Sequence, residues 1–419
     1  MCRTRRFTRS TEPPPDTHRS VKDLWRSAMT KGSDVPVVVW LGFAAFIGLG
    51  LPEATLGVTW PSIRAELDRP LSSVGVLLAA ITVGYLPASA LSGQIVVRLG
   101  AGKMLAVATG LYVAGLSLYM LGPVFGVLVV GSVCWGVAAG MIDPGLNAHF
   151  AVHHGQRAMN LLHASFGIGA TLGPFVATVV LGLGGSWRVP YAIYVGIQTA
   201  LLLGFVATRD RWSVRPSPDE DAATADPEVV PARASTAILG LSFAEFFLYT
   251  GLEVATGVLA YTLLTEGRGV SEGAAGLWTT AYWASLTIGR ALLGVAGGRL
   301  RPEQVLRGGT LGAVAGTLII AIDPGGLGAV GLPVLGLALA GLFPSMVLLT
   351  PRRAGSDRTA GVVGLQLSLA AIGASGVPAV ISWIANDDVE LIGPSLVVLA
   401  IAVTGIDLIL GRATRVSAL

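Results

Sequence analysis

The sequence contains twelve long apolar segments separated by short polar ones. Each segment is long enough to cross about 30 Å of hydrocarbon as a helix. Hydrophobic residues make up 53% of the 419 residues and charged residues only 13%, a composition too apolar for water-soluble domains. The sequence therefore predicts an all-α membrane protein with twelve transmembrane helices, at residues 36–58, 73–97, 103–121, 123–148, 160–184, 189–208, 236–262, 272–298, 305–322, 326–349, 360–383 and 391–411.

The second half of the chain repeats the first. The residues Phe43, Ala44, Phe46, Glu53, Gly57 and Val58 recur 200 positions later as Phe243, Ala244, Phe246, Glu253, Gly257 and Val258. A repeat of this kind predicts two pseudo-symmetric six-helix bundles, at residues 36–208 and 236–411. Paired repeats in membrane proteins place a binding site where the two halves meet, near the middle of the bilayer.

The remaining segments are polar and basic. Their composition predicts that residues 1–35 form a disordered cytoplasmic tail and that residues 209–235 form a cytoplasmic linker between the bundles. Residues 412–419 are predicted to form a short cytoplasmic tail. If the N-terminus lies inside the cell, the predicted inner segments hold 23 of the 28 Lys and Arg residues. Positive charges are retained on the cytoplasmic side, so we expect a multi-pass protein of the cell (inner) membrane with both termini in the cytoplasm.

Short motifs link the chain to a known family. The loop from Gly93 to Lys103, and its partial repeat at Gly294 with Arg299-Leu300, resembles the signature of the major facilitator superfamily. Within that superfamily, the Asp143-Pro144-Gly145-Leu146-Asn147 motif resembles the fucose–proton symporter (sugar permease) family. The fifth-span segment from Asn160 through His163 to Gly173-Pro174 resembles the same family.

The resemblance implies the major facilitator fold and secondary active transport by alternating access. It further implies uptake of a neutral sugar or similar polar small molecule together with a proton, by a monomer that works in the lipid bilayer without a cofactor. Two alternatives stay open: a proton-coupled exporter of a hydrophobic compound, and a membrane sensor that keeps the fold but transports nothing.

Four acidic residues fall inside predicted spans: Glu53, Asp143, Glu245 and Glu253. A charge near the bilayer centre costs about 2.5–3.5 kcal/mol on insertion scales, so each should face a cavity or a partner. We expect Asp143 to be the principal proton carrier, with Glu53 or Glu253 sharing that role or binding substrate hydroxyls. The family's first-span acid would fall at Gly57, and Glu53 lies one helical turn from that position, on the same face.

One buried cation needs a partner. Glu245 lies nine residues into the seventh span, and Arg290 lies nine residues before Arg299 on the eighth. Their equal depth predicts a structural ion pair, because an unpaired buried Arg would be costly.

Candidate substrate contacts combine hydrogen-bonding groups with aromatic faces that pack on a sugar ring. Tyr249 lies between Glu245 and Glu253 on one face of the seventh span, and Trp283 shares a face with Arg290. The predicted substrate-binding residues are Asn147, His163, Tyr249, Trp283 and Gln366.

Other classes of function have no support in the sequence. The trio His149, His153 and His154 has no acidic or thiol ligand nearby, so we expect a solvated cytoplasmic loop and no metal site. There is no nucleophile and base constellation for an enzyme and no phosphate-binding loop for an ATP-driven pump. The net charge of +3 reflects membrane topology and indicates no nucleic-acid partner.

Overall fold

The computed structural model describes residues 37–212, 236–296, 299–355 and 358–416. The predicted tail at 1–35 and most of the predicted linker lie outside the described residues. In the described part the regular elements are helices, with no strand. Eleven segments of that part are long and apolar enough to cross a membrane, and the 25-residue helix Glu272–Ala296 completes the predicted twelve.

The helices follow the predicted spans closely. In the first half they are α1 (Val37–Glu66), α2 (Val74–Leu99), α3 (Ala101–Leu121), α4 (Phe125–His153), α5 (Gly155–Gly182) and α6 (Arg188–Thr208). In the second half they are α7 (Thr236–Thr262), α8 (Glu272–Ala296), α9 (Pro302–Ile322), α10 (Gly331–Leu339), α11 (Leu342–Ala354), α12 (Thr359–Ile384) and α13 (Ile392–Val416). Helices α10 and α11 together form the tenth span, which breaks at Ala340 and Gly341.

Successive spans run in opposite directions, so the molecule has two ends. We call the end where α1 begins the Val37 side and the end where α1 finishes the Glu66 side. The charge distribution predicts that the Val37 side is cytoplasmic.

The sequence repeat is preserved as repeated packing. In the first half, a Cβ on Gly169 of α5 would strike the backbone carbonyl of Ile47 in α1. In the second half, a Cβ on Gly373 of α12 would strike the carbonyl of Phe247 in α7. Both crossings depend on glycine, which lets two helix backbones approach closely in a membrane.

The trio of histidines is not a solvated loop, and that prediction is wrong. Helix α4 continues to His153, and His149 is 2% exposed. Its ring lies 4.8 Å from the ring of Trp212, which also packs on Phe205. The first four residues of the predicted linker are therefore attached to the first half, because Trp212 fills a gap beside α4 and α6.

The predicted Glu245–Arg290 ion pair is also wrong. Glu245 pairs with Arg353 of α11, and Arg290 pairs with Glu253. Equal depth places two residues at the same level of the membrane but does not make their side chains face each other. The direction in which each side chain leaves its helix decides its partner. Arg353 was expected in a cytoplasmic loop, but α11 carries it into the second half, where it is 5% exposed.

A polar network surrounds this buried pair. The Gln366 amide nitrogen donates to Ser242 Oγ at 2.9 Å, and Thr350 Oγ1 donates to the Gln366 side-chain oxygen at 3.0 Å. Arg353 Nη1 lies 3.5 Å from the same Ser242 oxygen. The network joins α7, α11 and α12 inside the second half, toward the Val37 side.

The pair should matter more to stability than a surface pair of the same chemistry. We expect Arg353→Met to destabilise the protein by about 3–5 kcal/mol, because it leaves a buried carboxylate without its cation. The matched change Arg352→Met, which removes a pair between Arg352 and Glu303 that is largely exposed, should cost about 0–1 kcal/mol. Denaturant titration in mixed micelles measures both, and equal losses would contradict this assignment.

Candidate functional site

The carboxylate of Glu53 faces an internal space. Its neighbours Pro52 and Ala54 are buried while Glu53 itself is exposed. Helix α1 packs on α5 and α6 of its own half and on α7 of the other half, so it lies inside the molecule. We call the space beside Glu53, between the two halves, the central chamber.

Two further predicted acids converge on this chamber. Glu53 interacts electrostatically with Glu253 of α7 and with Asp143 of α4. The three carboxylates come from three helices and from both halves of the chain. The structure therefore brings together the three residues predicted for proton coupling. No described residue forms an ion pair or hydrogen bond with the Glu53 side chain.

Asp143 is held by two neutral donors. The Tyr85 hydroxyl donates to Asp143 Oδ2 at 3.0 Å, and the Asn147 amide donates to Oδ1 at 2.7 Å. Because Asn147 follows Asp143 by four residues, one helical turn of α4 aligns the two groups. The sequence pattern indicated Asn147, whereas Tyr85 of α2 was missed, since nothing in its neighbours distinguishes it from a packing aromatic.

Glu253 is the acid with a cation. Arg290 Nη2 reaches both of its carboxylate oxygens, at 3.2 and 3.3 Å. The Tyr249 hydroxyl also donates to the Glu253 carboxylate, and Tyr282 donates to its backbone carbonyl at 2.8 Å. Tyr249 is fully buried, so its hydroxyl holds Glu253 in place and is not open to a solute in this conformation.

His163 and Trp283 lie at different levels of the site. His163 of α5 is exposed, and its ring is 5.7 Å from that of Phe46. It interacts electrostatically with Asp143 and Arg290, so it belongs to the chamber. Trp283 is 6% exposed and packs against Gly257, nearer the Glu66 side.

Gln366 is the predicted contact that the structure places elsewhere. It is fully buried, and its amide is used by Ser242 and Thr350 beside the Glu245–Arg353 pair. A polar residue in a span satisfies its hydrogen bonds wherever a partner is closest, and here that partner lies inside the second half.

The chamber is closed toward the Glu66 side. There the halves touch where a Cβ on Gly75 of α2 would lie 2.8 Å from Ala379 Cα of α12. An ion pair between Arg64 of α1 and Glu266 also joins them. Toward the Val37 side the same helices separate, and the glycines with nothing within 4 Å of an added Cβ include Gly93, Gly294, Gly361 and Gly364.

The chamber gathers polar and charged side chains from both halves. No cluster of three or more potential metal ligands occurs among residues 37–212, 236–296, 299–355 and 358–416. The chamber offers carboxylates, a guanidinium, an amide, an imidazole and a phenol, all on helices that lie between two separable halves.

Comparison with known proteins identifies the architecture. The sequence pattern of the Major Facilitator Superfamily matches residues 39–240. A structure of a variant of the nucleoside transporter NupG superposes with a TM-score of 0.72 at 13% identity, covering 91% of this chain and 99% of that one. Residues 39–240 therefore carry the pattern of the Major Facilitator Superfamily, and the described chain has the major facilitator fold.

Two further proteins that the chain resembles are named for sugar transport. The Escherichia coli fucose:proton symporter superposes with a TM-score of 0.58 at 17% identity, covering 90% of this chain and 98% of that one. The human (Homo sapiens) protein named sodium-dependent glucose transporter 1 is 25% identical over 339 residues, which is 73% of this chain and 65% of the human one. The match thus spans slightly less than two thirds of the human protein.

The Tyr85–Asp143 contact should report the charge on Asp143. A hydrogen bond to a charged group contributes about 1.5–3 kcal/mol and one to a neutral group about 0.5–1.5 kcal/mol. A double-mutant cycle of Tyr85→Phe with Asp143→Asn should therefore give a larger coupling energy at pH 8 than at pH 5, if Asp143 takes up a proton between them.

The control cycle replaces Tyr119 by Phe. Its buried hydroxyl is hydrogen-bonded to Ser132 Oγ at 2.7 Å near the Glu66 end of α3, so its coupling to Asp143→Asn should be near zero at both pH values. A Tyr85 coupling that does not change with pH would show that Asp143 keeps one protonation state.

Proposed function

We propose that the chain takes up a neutral sugar or a similar polar small molecule together with a proton, by alternating access. The observation that carries the proposal is the convergence of Glu53, Asp143 and Glu253 on one chamber between the halves. Chambers of this kind bind solutes at the interface of the repeats, and rocking of one half against the other exposes the site to each side in turn.

The charge balance of the chamber supports cation coupling. If all three acids are ionised and His163 is neutral, three negative charges meet the single positive charge of Arg290. Such an excess is costly in a site surrounded by hydrocarbon, where electrostatic interactions are weakly screened. A proton on one of the acids reduces the excess, and the opening on the Val37 side gives it a route to water.

We assign the proton to Asp143 first. Glu253 already has Arg290 as a partner, whereas the hydrogen-bond partners of Asp143 among the described side chains are the neutral donors Tyr85 and Asn147. Glu53 faces the chamber without a partner among the described residues, so it either shares the proton or accepts hydrogen bonds from substrate hydroxyls. His163 and Asn147 supply further polar contacts.

The names of the relatives support a polar cargo and leave the coupling ion to experiment. One is a fucose:proton symporter, and the human one carries sodium in its name. A partnerless carboxylate such as Glu53 would suit either ion on charge alone. We favour the proton because no three His, Cys, Asp or Glu side chains among the described residues are grouped so that they could hold a metal ion.

Binding can be tested without knowing the direction of transport. A ligand that binds only the folded protein raises its stability, by about 2.7 kcal/mol at a hundredfold excess over Kd. We expect at least one neutral hexose, pentose or nucleoside in a panel to raise the melting temperature of the purified protein. Sugar phosphates should leave it unchanged, and a panel without any positive member would contradict the proposed cargo.

Coupling is tested in liposomes loaded with the purified protein. An imposed proton gradient should drive accumulation of the sugar found in the panel, and Asp143→Asn should abolish accumulation while sparing exchange of labelled for unlabelled sugar. The matched control Asp407→Asn changes a span aspartate that pairs with Arg307 and should keep accumulation. Accumulation driven by a sodium gradient alone would overturn the proton assignment.

A further inference from the structure

The two halves bring helix backbone against helix backbone at a pair of glycines that the repeat makes equivalent. Gly57 of α1 corresponds to Gly257 of α7 at the 200-residue offset. A Cβ on Gly57 would lie inside contact distance of the Gly257 carbonyl and 2.9 Å from Val258 Cα. Both of these are backbone atoms, so a neighbouring side chain cannot rotate away to make room.

The second glycine of the pair meets a ring. A Cβ on Gly257 would strike the indole of Trp283, with Cε2 at 2.9 Å and Nε1 at 3.2 Å. Three helices therefore meet at this level, α1 on α7 and α7 on α8. We call Gly57, Gly257 and Trp283 the roof of the chamber.

The roof lies directly above the acids. Glu53 is four residues before Gly57, and Glu253 is four residues before Gly257, so each acid lies one helical turn nearer the Val37 side, on the same face as its glycine. The α1–α7 contact at this level therefore lies between the acids and the Glu66 side.

The hydrogen bonding of Trp283 also indicates that the closed roof is one of two conformations. Its Nε1 is buried and has no hydrogen-bond acceptor among the described residues. A buried indole N–H normally finds a partner, and opening the roof would give it water or a solute hydroxyl. The unpaired indole N–H therefore destabilises the closed conformation relative to the open one.

We propose that Gly57 and Gly257 are positioning residues for the gating step, and that their missing side chains are what allows the roof to close. A side chain at Gly57 holds α1 and α7 apart, and a side chain at Gly257 displaces the Trp283 indole from α7, so either change favours the conformation that is open to the Glu66 side. The inference rests on the fold and on alternating access, and it is independent of the cargo and of the coupling ion.

The test measures how readily single cysteines react with a maleimide in purified protein whose Cys2 and Cys134 are replaced by Ser. One reporter is Val258→Cys, at a position 3% exposed opposite Gly57. The other is Ala164→Cys, at an exposed position on α5 toward the Val37 side. Gly57→Ala should raise the labelling rate at 258 at least fivefold and lower the rate at 164, because opening one side closes the other.

The matched control is Gly196→Ala, a mid-helix position in α6 with nothing within 4 Å of an added Cβ. It should change neither rate. Unchanged rates in a folded Gly57→Ala protein would overturn the proposal. So would equal increases at both reporters, because general loosening raises both and a shift between two states moves them in opposite directions.

A rescue experiment separates the two glycines. Gly257→Ala should also open the roof, and adding Trp283→Leu should restore slow labelling at 258 because the smaller side chain leaves room for the methyl group. The same Trp283→Leu change should fail to rescue Gly57→Ala, whose methyl meets backbone. Rescue of both variants, or of neither, would overturn the assignment of these contacts.

Discussion

A bilayer offers no water and no counter-ion to a charged side chain, and this constraint accounts for where the chain puts its internal charges. The cost is met in two ways here. Glu245 is removed from the chamber and closed in by Arg353. Asp143, Glu253 and Arg290 line a chamber between the halves, where each finds a polar partner, and Glu53 faces the same space. The first solution ties α7 to α11 inside the second half, and the second leaves charged groups facing the chamber, where the proposed proton and solute would bind.

Duplication explains the framework, and departures from it explain the site. The helix crossing at Gly169 is repeated at Gly373. Gly57 and Glu53 are likewise repeated as Gly257 and Glu253. Arg290 does not repeat: with the offset of 201 that relates Arg98 to Arg299, its counterpart is Ser89. One acid of the pair therefore has a fixed cation and its twin does not. The two halves therefore have equivalent backbones but contribute different charges to the site.

The sequence was sufficient for the framework and for the membership of the acid cluster. Span bounds depend on hydrophobicity and length, both of which are local. The helices therefore lie within about five residues of prediction, except that α1 continues eight residues beyond its predicted end and the tenth span breaks at Gly341. The clustering of Glu53, Asp143 and Glu253 was expected because an acidic residue inside a span should face a cavity or a partner. The pairing of Glu245 with Arg353, the burial of Gln366 and the anchoring of Trp212 on His149 depend on which way each side chain leaves its helix. That direction is decided by packing between helices distant in sequence, which periodicity alone does not reveal.

The distribution of close contacts between the halves also indicates how the molecule moves. On the Glu66 side, three contacts between the halves bring a helix backbone against another backbone or against a short side chain. They are Gly75 with Ala379, Gly276 with Thr178, and Gly57 with Gly257. Contacts of this kind do not deform gradually, because an interface packed at van der Waals distance is either formed or absent. The signature glycines Gly93 and Gly294, which have open space around them on the Val37 side, are equivalent by the repeat and small enough to make a second interface of the same type. Formation of this second interface in place of the first would give the molecule two discrete arrangements, as the proposed alternating access requires.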